Sequence, residues 1–528
     1  MKNELFDILI IGAGAAGAAA SWNLSNSGYK VLCMEQGPIL DSKSYSFFQP
    51  EWEVLKQKKF NINPNIRKLK SDYPINDKNS PISIANFNAV GGSTVLYSGH
   101  FPRFHSSDFE TKTLDGIGEN WPFNYKDLEP FYELNDKMMV VAGLKGDPAY
   151  PPIDNLMPPV PLGEAGEKIA KTFNKLGWHW WPSYSAIATK NYNSRKKNSR
   201  SEVNITYWPK AISNGVKLKA NCRVKKITLD SHGKANGVIY FNSKNKEQFQ
   251  KASLVIVACS GVGTPRLLLN SANKLFPKGL ANSSGLLGKN LMLHPLGYVE
   301  GKFNKFLGSF KGPEGCCLAS QEFYETIKGA KHKRGYTMQV LRGSGPLETA
   351  LSLRKFRNLP FGKNFHKTFS KTYGHTIPLA IICEDLPEKH NSVELDHHKK
   401  DSNGMPGIKI NYKLSENSKK MLSHGITKAK ELMKKAGAKS TISFGPVKHT
   451  GWHLMGTAKM GKSKKNSVVN EFGQTHDIKN LIIADSSIFV TSGGVNPIST
   501  LQAIALKITE NIKAHPAKYF DKKNENKI

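Results

Sequence analysis

The N-terminal run FDILIIGAGAAGAAASWNLSNSGYKVLCMEQG (6–37) leaves few folds open to this chain. Residues Ile8–Ile11 show no polar alternation and read as a strand buried on both faces of a parallel sheet. Gly12, Ala13, Gly14, Ala15, Ala16 and Gly17 then lead into a helix of small residues. Gly12 permits a tight turn, Gly14 lets backbone approach a pyrophosphate, and Gly17 lets helix and strand pack closely. The start of such a helix offers unpaired N–H groups and the positive end of a dipole to phosphates. A second strand, KVLCME, ends in Glu35, 18 residues after Gly17. A carboxylate at that tip can accept both hydroxyls of an adenosine ribose. A glycine-rich packing motif alone does not account for this acid, so the unit predicts a Rossmann-like α/β domain that binds a dinucleotide.

Three further stretches have the same punctuation. NAVGGSTVLYSGHFPRF (88–104) carries a second glycine turn at Gly91, Gly92 and Ser93. LVIVACSGVGTPRLLLNSA (254–272) is another buried strand that reaches Ala258 before a turn and a helix. NLIIADSSIFVTSGGVNPISTLQAIALKITENI (480–512) is a strand ending at Asp485, a loop and a long final helix. Asp485 is a candidate partner for a ribityl or pyrophosphate group, or a strand-end turn residue. At the helix start, Asn496 is a favoured N-cap, Pro497 sits at N1 and Ile498 opens the periodic run. Segments this far apart returning to one ligand suit a large, deeply buried dinucleotide.

Close to the last of these lies KHTGWHLMGTAKMG (448–461), with His453 among small and apolar residues. Locally it reads as a core residue, a metal ligand or a proton acceptor. His449 lies four residues earlier, a spacing that pairs metal ligands on a helix. Gly451 interrupts that helix and no third ligand is evident, so no metal is expected.

In this order the pieces resemble the glucose–methanol–choline family of FAD-dependent oxidoreductases over nearly the whole chain. VGGST is similar to its first signature, GVGTPRLLLNSA to its second, and HLMGTAKMG with NPISTLQAIALK to its catalytic region. GGSTVLYSGHFPRFHSSDF, NWPFNYKDLEPFY and GLANSSGLLGKNLMLH are similar to flavoprotein subunits of gluconate, polyol and sugar dehydrogenases, with pyranose oxidases more distant. The resemblance implies FAD, and as substrate a small-molecule alcohol, namely a polyol, sugar or sugar acid. It implies His453 as the base that removes the hydroxyl proton while hydride passes to flavin N5. A neutral imidazole suits that task because its pKa lies near the working pH. Asn496 stands where the family carries His or Asn, and would orient the substrate oxygen. The helix behind it would stabilise negative charge on reduced flavin by roughly 0.3–1 kcal/mol. A backbone contact of Val224 with adenine is implied as well.

Two departures from the family carry their own expectations. Leu96 stands where some pyranose oxidases attach the flavin through histidine, so FAD is expected to be non-covalent. ATKNYNSRKKNSRSEVNITYWP (188–209) lacks the cysteines that related sugar dehydrogenases carry there, so no iron–sulfur cluster is expected. The electron acceptor stays open among oxygen, a quinone and a cytochrome.

The organisation expected is a discontinuous FAD-binding domain (1–40, 85–110, 215–300 and 465–528) with a substrate-binding domain from 111–214 and 301–464. The polar, lysine-rich segment 41–84 is a lid or subunit contact. PLAIICEDLP, NSVELD and GIKINYKL read as antiparallel strands, followed by a helix capped by Ser415 and stopped by Gly437. An antiparallel sheet with covering helices would roof the substrate. The net charge of +33 is dispersed, and its one dense cluster, NSRKKNSR (193–200), lacks interleaved aromatics to stack bases. No nucleic-acid partner is expected, although the field favours anionic substrates. No apolar run is long enough to span a membrane. The lack of a signal-peptide pattern, and cysteines outside any C-x-x-C, point to the cytoplasm, with export alongside a partner subunit as the alternative. A homo-oligomer stays open. A pyridine-nucleotide-linked reductase would need a second complete glycine unit, which is absent. A flavoprotein lyase and a flavin-containing binding protein are the remaining alternatives.

Overall fold

The computed structural model describes residues 4–41, 45, 52–191, 199–313, 315–357 and 359–520. Its first sheet grows from the N-terminal unit. β1 (Phe6–Ile11) lies parallel to β2 (Val31–Met34), with Ile8 opposite Val31 and Ile11 opposite Met34. On its other side β1 pairs in parallel with β3 (Glu247–Val257), Ile11 opposite Val257. Lys217–Lys219 extends the sheet beyond β2, and Leu481–Ile483 extends it beyond β3. Strands covered on both faces need hydrocarbon on both, which is why Ile8, Leu9, Ile10, Leu32 and Cys33 are fully buried. The first half of β3 leaves this sheet for an antiparallel meander with Ala235–Phe241 and Arg223–Leu229. α1 (Ala15–Leu24) follows the glycine turn. A Cβ on Gly17 would stand 1.9 Å from the carbonyl oxygen of Gly12, so only glycine permits this approach.

A second, wholly antiparallel sheet faces the first. β4 (Leu296–Lys302) and β5 (Tyr336–Leu341) flank β6 (Thr376–Cys383). Ser440–Phe444 pairs outside β4, and Cys316–Ser320 then Trp181–Pro182 pair outside β5. The period of two divides the side chains. Val299, Val340, Leu379 and Ile381 enter a core shared with α2 (Glu416–Lys435) and the helix Gly163–Leu176. Leu296, Gln339, Leu341, Ala380 and Ile382 point the other way, toward the first sheet's cavity. α2 has the expected ends: Ser415 Oγ accepts the Ser418 N–H at 3.0 Å, and Gly437 follows with φ +86°.

The strands Ser392–Lys400 and Pro406–Asn411 do not extend that antiparallel sheet, as the pattern alone suggests. They form a hairpin of their own, and Pro406–Asn411 pairs in parallel with Ile75–Asn79. Of the segment 41–84, residues 42–44 and 46–51 lie outside the described set. The rest is tied down: Trp52 and Phe60 join a buried cluster with Phe87 and Val95, and Ile82 and Ile84 join another. The basic cluster at 193–200 falls outside the described residues except for Ser199 and Arg200, as does the tail 521–528. No helix among the described residues is long and apolar enough to cross a membrane.

Candidate active site

A cavity of about 410 Å³ runs between the two sheets. One end is bounded by Gly12, Gly14, Ala15, Ala16 and Glu35, with Val224 and Ala258 beside them. Gly92 and Ser93 bring the second glycine turn against the first, and a Cβ on Gly92 would stand 2.8 Å from Gly14 Cα. Gly17 and Gly91 do not line the cavity. Gly17 lies beneath the turn, and the Gly91 N–H donates to the Ala13 carbonyl at 3.0 Å, joining the two turns.

Glu35 is buried, with Oε2 accepting the Ala13 N–H at 2.9 Å and Oε1 the Gly37 N–H at 2.8 Å. Burial raises its pKa against the opposing pull of those N–H groups. The carboxylate therefore ties the glycine turn to the strand tip, and each oxygen keeps a further lone pair. α1 starts without a side-chain cap or an acid in its first turn, so its N–H groups are left for a ligand. Asp485 lines the cavity but works as a turn residue: Oδ1 accepts the Ser487 N–H, and Oδ2 accepts the Ser260 N–H and the Thr264 hydroxyl.

At the other end His453, Asn496, Pro497 and Ile498 share the cavity wall. His453 Nε2 lies 3.3 Å from Asn496 Nδ2, and its Nδ1 lies 2.9 Å from His294 Nδ1. His294 Nε2 lies 2.7 Å from the Gly493 carbonyl and 3.1 Å from that of Ser492. Carbonyls only accept, so this nitrogen carries a hydrogen. Burial pushes the His294 pKa down to about 4, so the ring is neutral and its Nδ1 accepts. His453 Nδ1 must then donate, which makes Nε2 the accepting nitrogen, facing the Asn496 amide. Burial, then His294 and His100, hold His453 well below the ordinary histidine range.

Asn496 is not the helix cap. Pro497 holds that position and α3 runs Ile498–Ala514. The Asn496 side chain is engaged elsewhere: Oδ1 accepts from Gln339 Nε2 at 2.6 Å, which turns the amide nitrogen toward His453. The loop before it is braced from behind. Tyr324 oxygen accepts the Gly494 N–H at 2.9 Å, and its hydroxyl donates to Asp108, which pairs with fully buried Arg334. His294 closes GLANSSGLLGKNLMLH, a stretch similar to the dehydrogenase subgroup that by itself gives the histidine no role, and Gln339 is a polar residue in an apolar strand.

Two family profiles described as GMC oxidoreductase match residues 6–296 and 387–505. The chain belongs to the GMC oxidoreductase family. It is 38% identical to 2-methyl-1,2-propanediol dehydrogenase of Mycolicibacterium austroafricanum, over 96% of this chain and 95% of that one. Identity is 24% with the fructose dehydrogenase large subunit of Gluconobacter japonicus, over 97% and 99%. Among solved structures, pyridoxine 4-oxidase from Mesorbium loti matches with a TM-score of 0.65 at 16% identity, covering 96% of this chain and 99% of that one. Formate oxidase of Aspergillus oryzae RIB40, in its R554K form, matches with a TM-score of 0.67 at 16% identity, covering 98% and 100%. These structural likenesses establish the Rossmann-like fold.

As a GMC oxidoreductase the protein is FAD-dependent and acts on CH–OH groups. Its residues fit that cofactor. The acid tip and uncapped α1 line the cavity together with the start of α3, which also lacks a side-chain cap or an acid in its first turn. Two helix N-termini open to one cavity suit an anionic ligand such as a dinucleotide.

Proposed function

We propose that this GMC oxidoreductase oxidises a primary or secondary alcohol to a carbonyl compound, with His453 as the base and Asn496 as the group that orients the hydroxyl. The observation that carries the proposal is the hydrogen-bond chain from the Ser492 and Gly493 carbonyls through His294 to His453. It admits one protonation pattern, and that pattern makes Nε2 an acceptor, now facing the Asn496 amide, which a substrate hydroxyl can engage. FAD, when bound, supplies the acceptor for the hydride. His453 Nε2 takes the hydroxyl proton, and the resulting imidazolium donates from Nδ1 to His294. Asn496 Nδ2 donates to the substrate oxygen, its orientation held by Gln339. Leu96 offers no side-chain nucleophile where a histidine would attach the flavin, which supports a non-covalent cofactor. The relatives named for 2-methyl-1,2-propanediol and fructose support a substrate with several hydroxyls.

The test is anaerobic bleaching of the yellow protein by a panel of alcohols. His453→Ala should keep the flavin colour and lose roughly 10²–10⁴-fold in bleaching rate, the usual worth of a general base. Unimpaired bleaching would refute the assignment of the base.

A further inference from the structure

The sheet face above His453 and Asn496 lines the cavity with hydrocarbon, interrupted by Gln339. Leu296, Leu341, Ala380 and Ile382 present apolar side chains from one sheet face, where Gln339 pairs directly across from Ala380. Gln339 is 4% exposed and uses Nε2 on Asn496, while Oε1 has no protein partner among the described residues. His100 lines the same cavity, and neither of its ring nitrogens has a hydrogen-bond partner among the described residues; Nδ1 is enclosed by protein, which leaves Nε2 as the nitrogen open to a ligand. His100 is close enough to His453 to oppose its protonation. Buried polar groups without partners are rare in folded proteins, and a site for a polar ligand is one place where they persist.

Resting on the alcohol-oxidation reading above, we propose that His100 and Gln339 form a second hydroxyl subsite beside the catalytic pair, so that the preferred substrate is a short diol with adjacent hydroxyls on a hydrocarbon body. A hydroxyl has one hydrogen to donate and lone pairs to accept with. It can donate to Gln339 Oε1 and accept an N–H from His100 Nε2, pairing the atom of each side chain that is open to the cavity. The additional hydroxyls of a sugar would face Leu296, Leu341, Ala380 and Ile382 without partners. A site built to hydrogen-bond a hydroxyl discriminates strongly against an analogue that lacks it, because the site's own groups are then left unpaired.

The experiment compares anaerobic flavin reduction by propane-1,2-diol, propan-1-ol and D-glucose in the wild type and in His100→Phe, Gln339→Leu and His100→Gln holoenzymes. The wild type should favour the diol over propan-1-ol by at least about tenfold in the specificity ratio. His100→Phe and Gln339→Leu should each collapse that ratio toward unity, whatever they do to the absolute rates, and His100→Gln should restore part of it. Equal reaction of diol and propan-1-ol, an unchanged ratio in both variants, or a preference for glucose would overturn the subsite and leave alcohol oxidation standing. Loss of FAD from His100→Phe with the diol preference intact in Gln339→Leu would assign His100 to the cofactor and equally overturn it. Failure of every alcohol to reduce the flavin would remove the alcohol-oxidation reading, and the subsite with it.

Discussion

Replacing His294 tests whether the base is set up by its neighbour. His294→Leu removes the acceptor 2.9 Å from His453 Nδ1 without touching substrate or cofactor directly. A neutral hydrogen bond is worth about 0.5–1.5 kcal/mol net and one to a charged group about 1.5–3 kcal/mol. The bond becomes charge-assisted only after His453 has taken the proton, so the difference of about 1–1.5 kcal/mol belongs to the barrier, or roughly five- to tenfold in rate. A second loss adds to it. Without His294 only the 3.3 Å contact with the Asn496 amide favours the hydrogen on Nδ1, and the ring populates more of the tautomer whose Nε2 cannot accept. Together the rate of anaerobic flavin reduction should fall roughly ten- to a hundredfold. His294→Asn offers an amide oxygen near the lost Nδ1 and should recover part of the rate. Stopped-flow absorbance on protein that retains its flavin reads both variants. Wild-type rates in His294→Leu, or an Asn variant as slow as the Leu one, would refute the tautomer argument.

Other consequences follow from buried polar groups. Glu35→Ala strips partners from the Ala13 and Gly37 N–H groups, so it should cost about 1–3 kcal/mol for each one left buried and weaken FAD retention. Denaturant titration and flavin content check this, and unchanged values in both would contradict it. Arg334→Leu leaves Asp108 and Glu384 as uncompensated buried acids, so a loss of about 3–5 kcal/mol is expected by denaturant titration. The same swap should slow turnover by loosening the loop that carries Asn496. Acid should weaken the fold through His294. Its pKa falls from 6.5 to about 4 on folding, so the unfolded chain binds the proton first and stability drops as pH falls through that window, approaching about 3 kcal/mol. Asp385, pushed up to about 6 by burial, acts with the opposite sign. The measurement is therefore the difference in melting temperature between wild type and His294→Asn from pH 7 to 4.5, which should shrink toward the acid end. A difference independent of pH would contradict the buried neutral ring.

Local chemistry determined much of this protein. Gly12, Gly14 and Gly17, the unbroken run Ile8–Ile11 and the acid at Glu35 specify a strand, turn and helix through contacts between residues near one another in the chain. The same holds for α2, whose cap at Ser415 and stop at Gly437 are nearest-neighbour hydrogen bonding and backbone conformation. The order of these pieces was enough to match a family. Tertiary structure decided the rest. No local pattern pairs Ile75–Asn79 with Pro406–Asn411, or aims Gln339 at Asn496. Pro497 takes the cap because the Asn496 amide is held by partners on another strand and another loop. His294 becomes the partner of His453 only when two loops, each carried by its own strand, fold to within a hydrogen bond. Such contacts depend on sheet register and loop path summed over the whole chain, whereas turns, caps and periodicity depend on a few neighbouring residues.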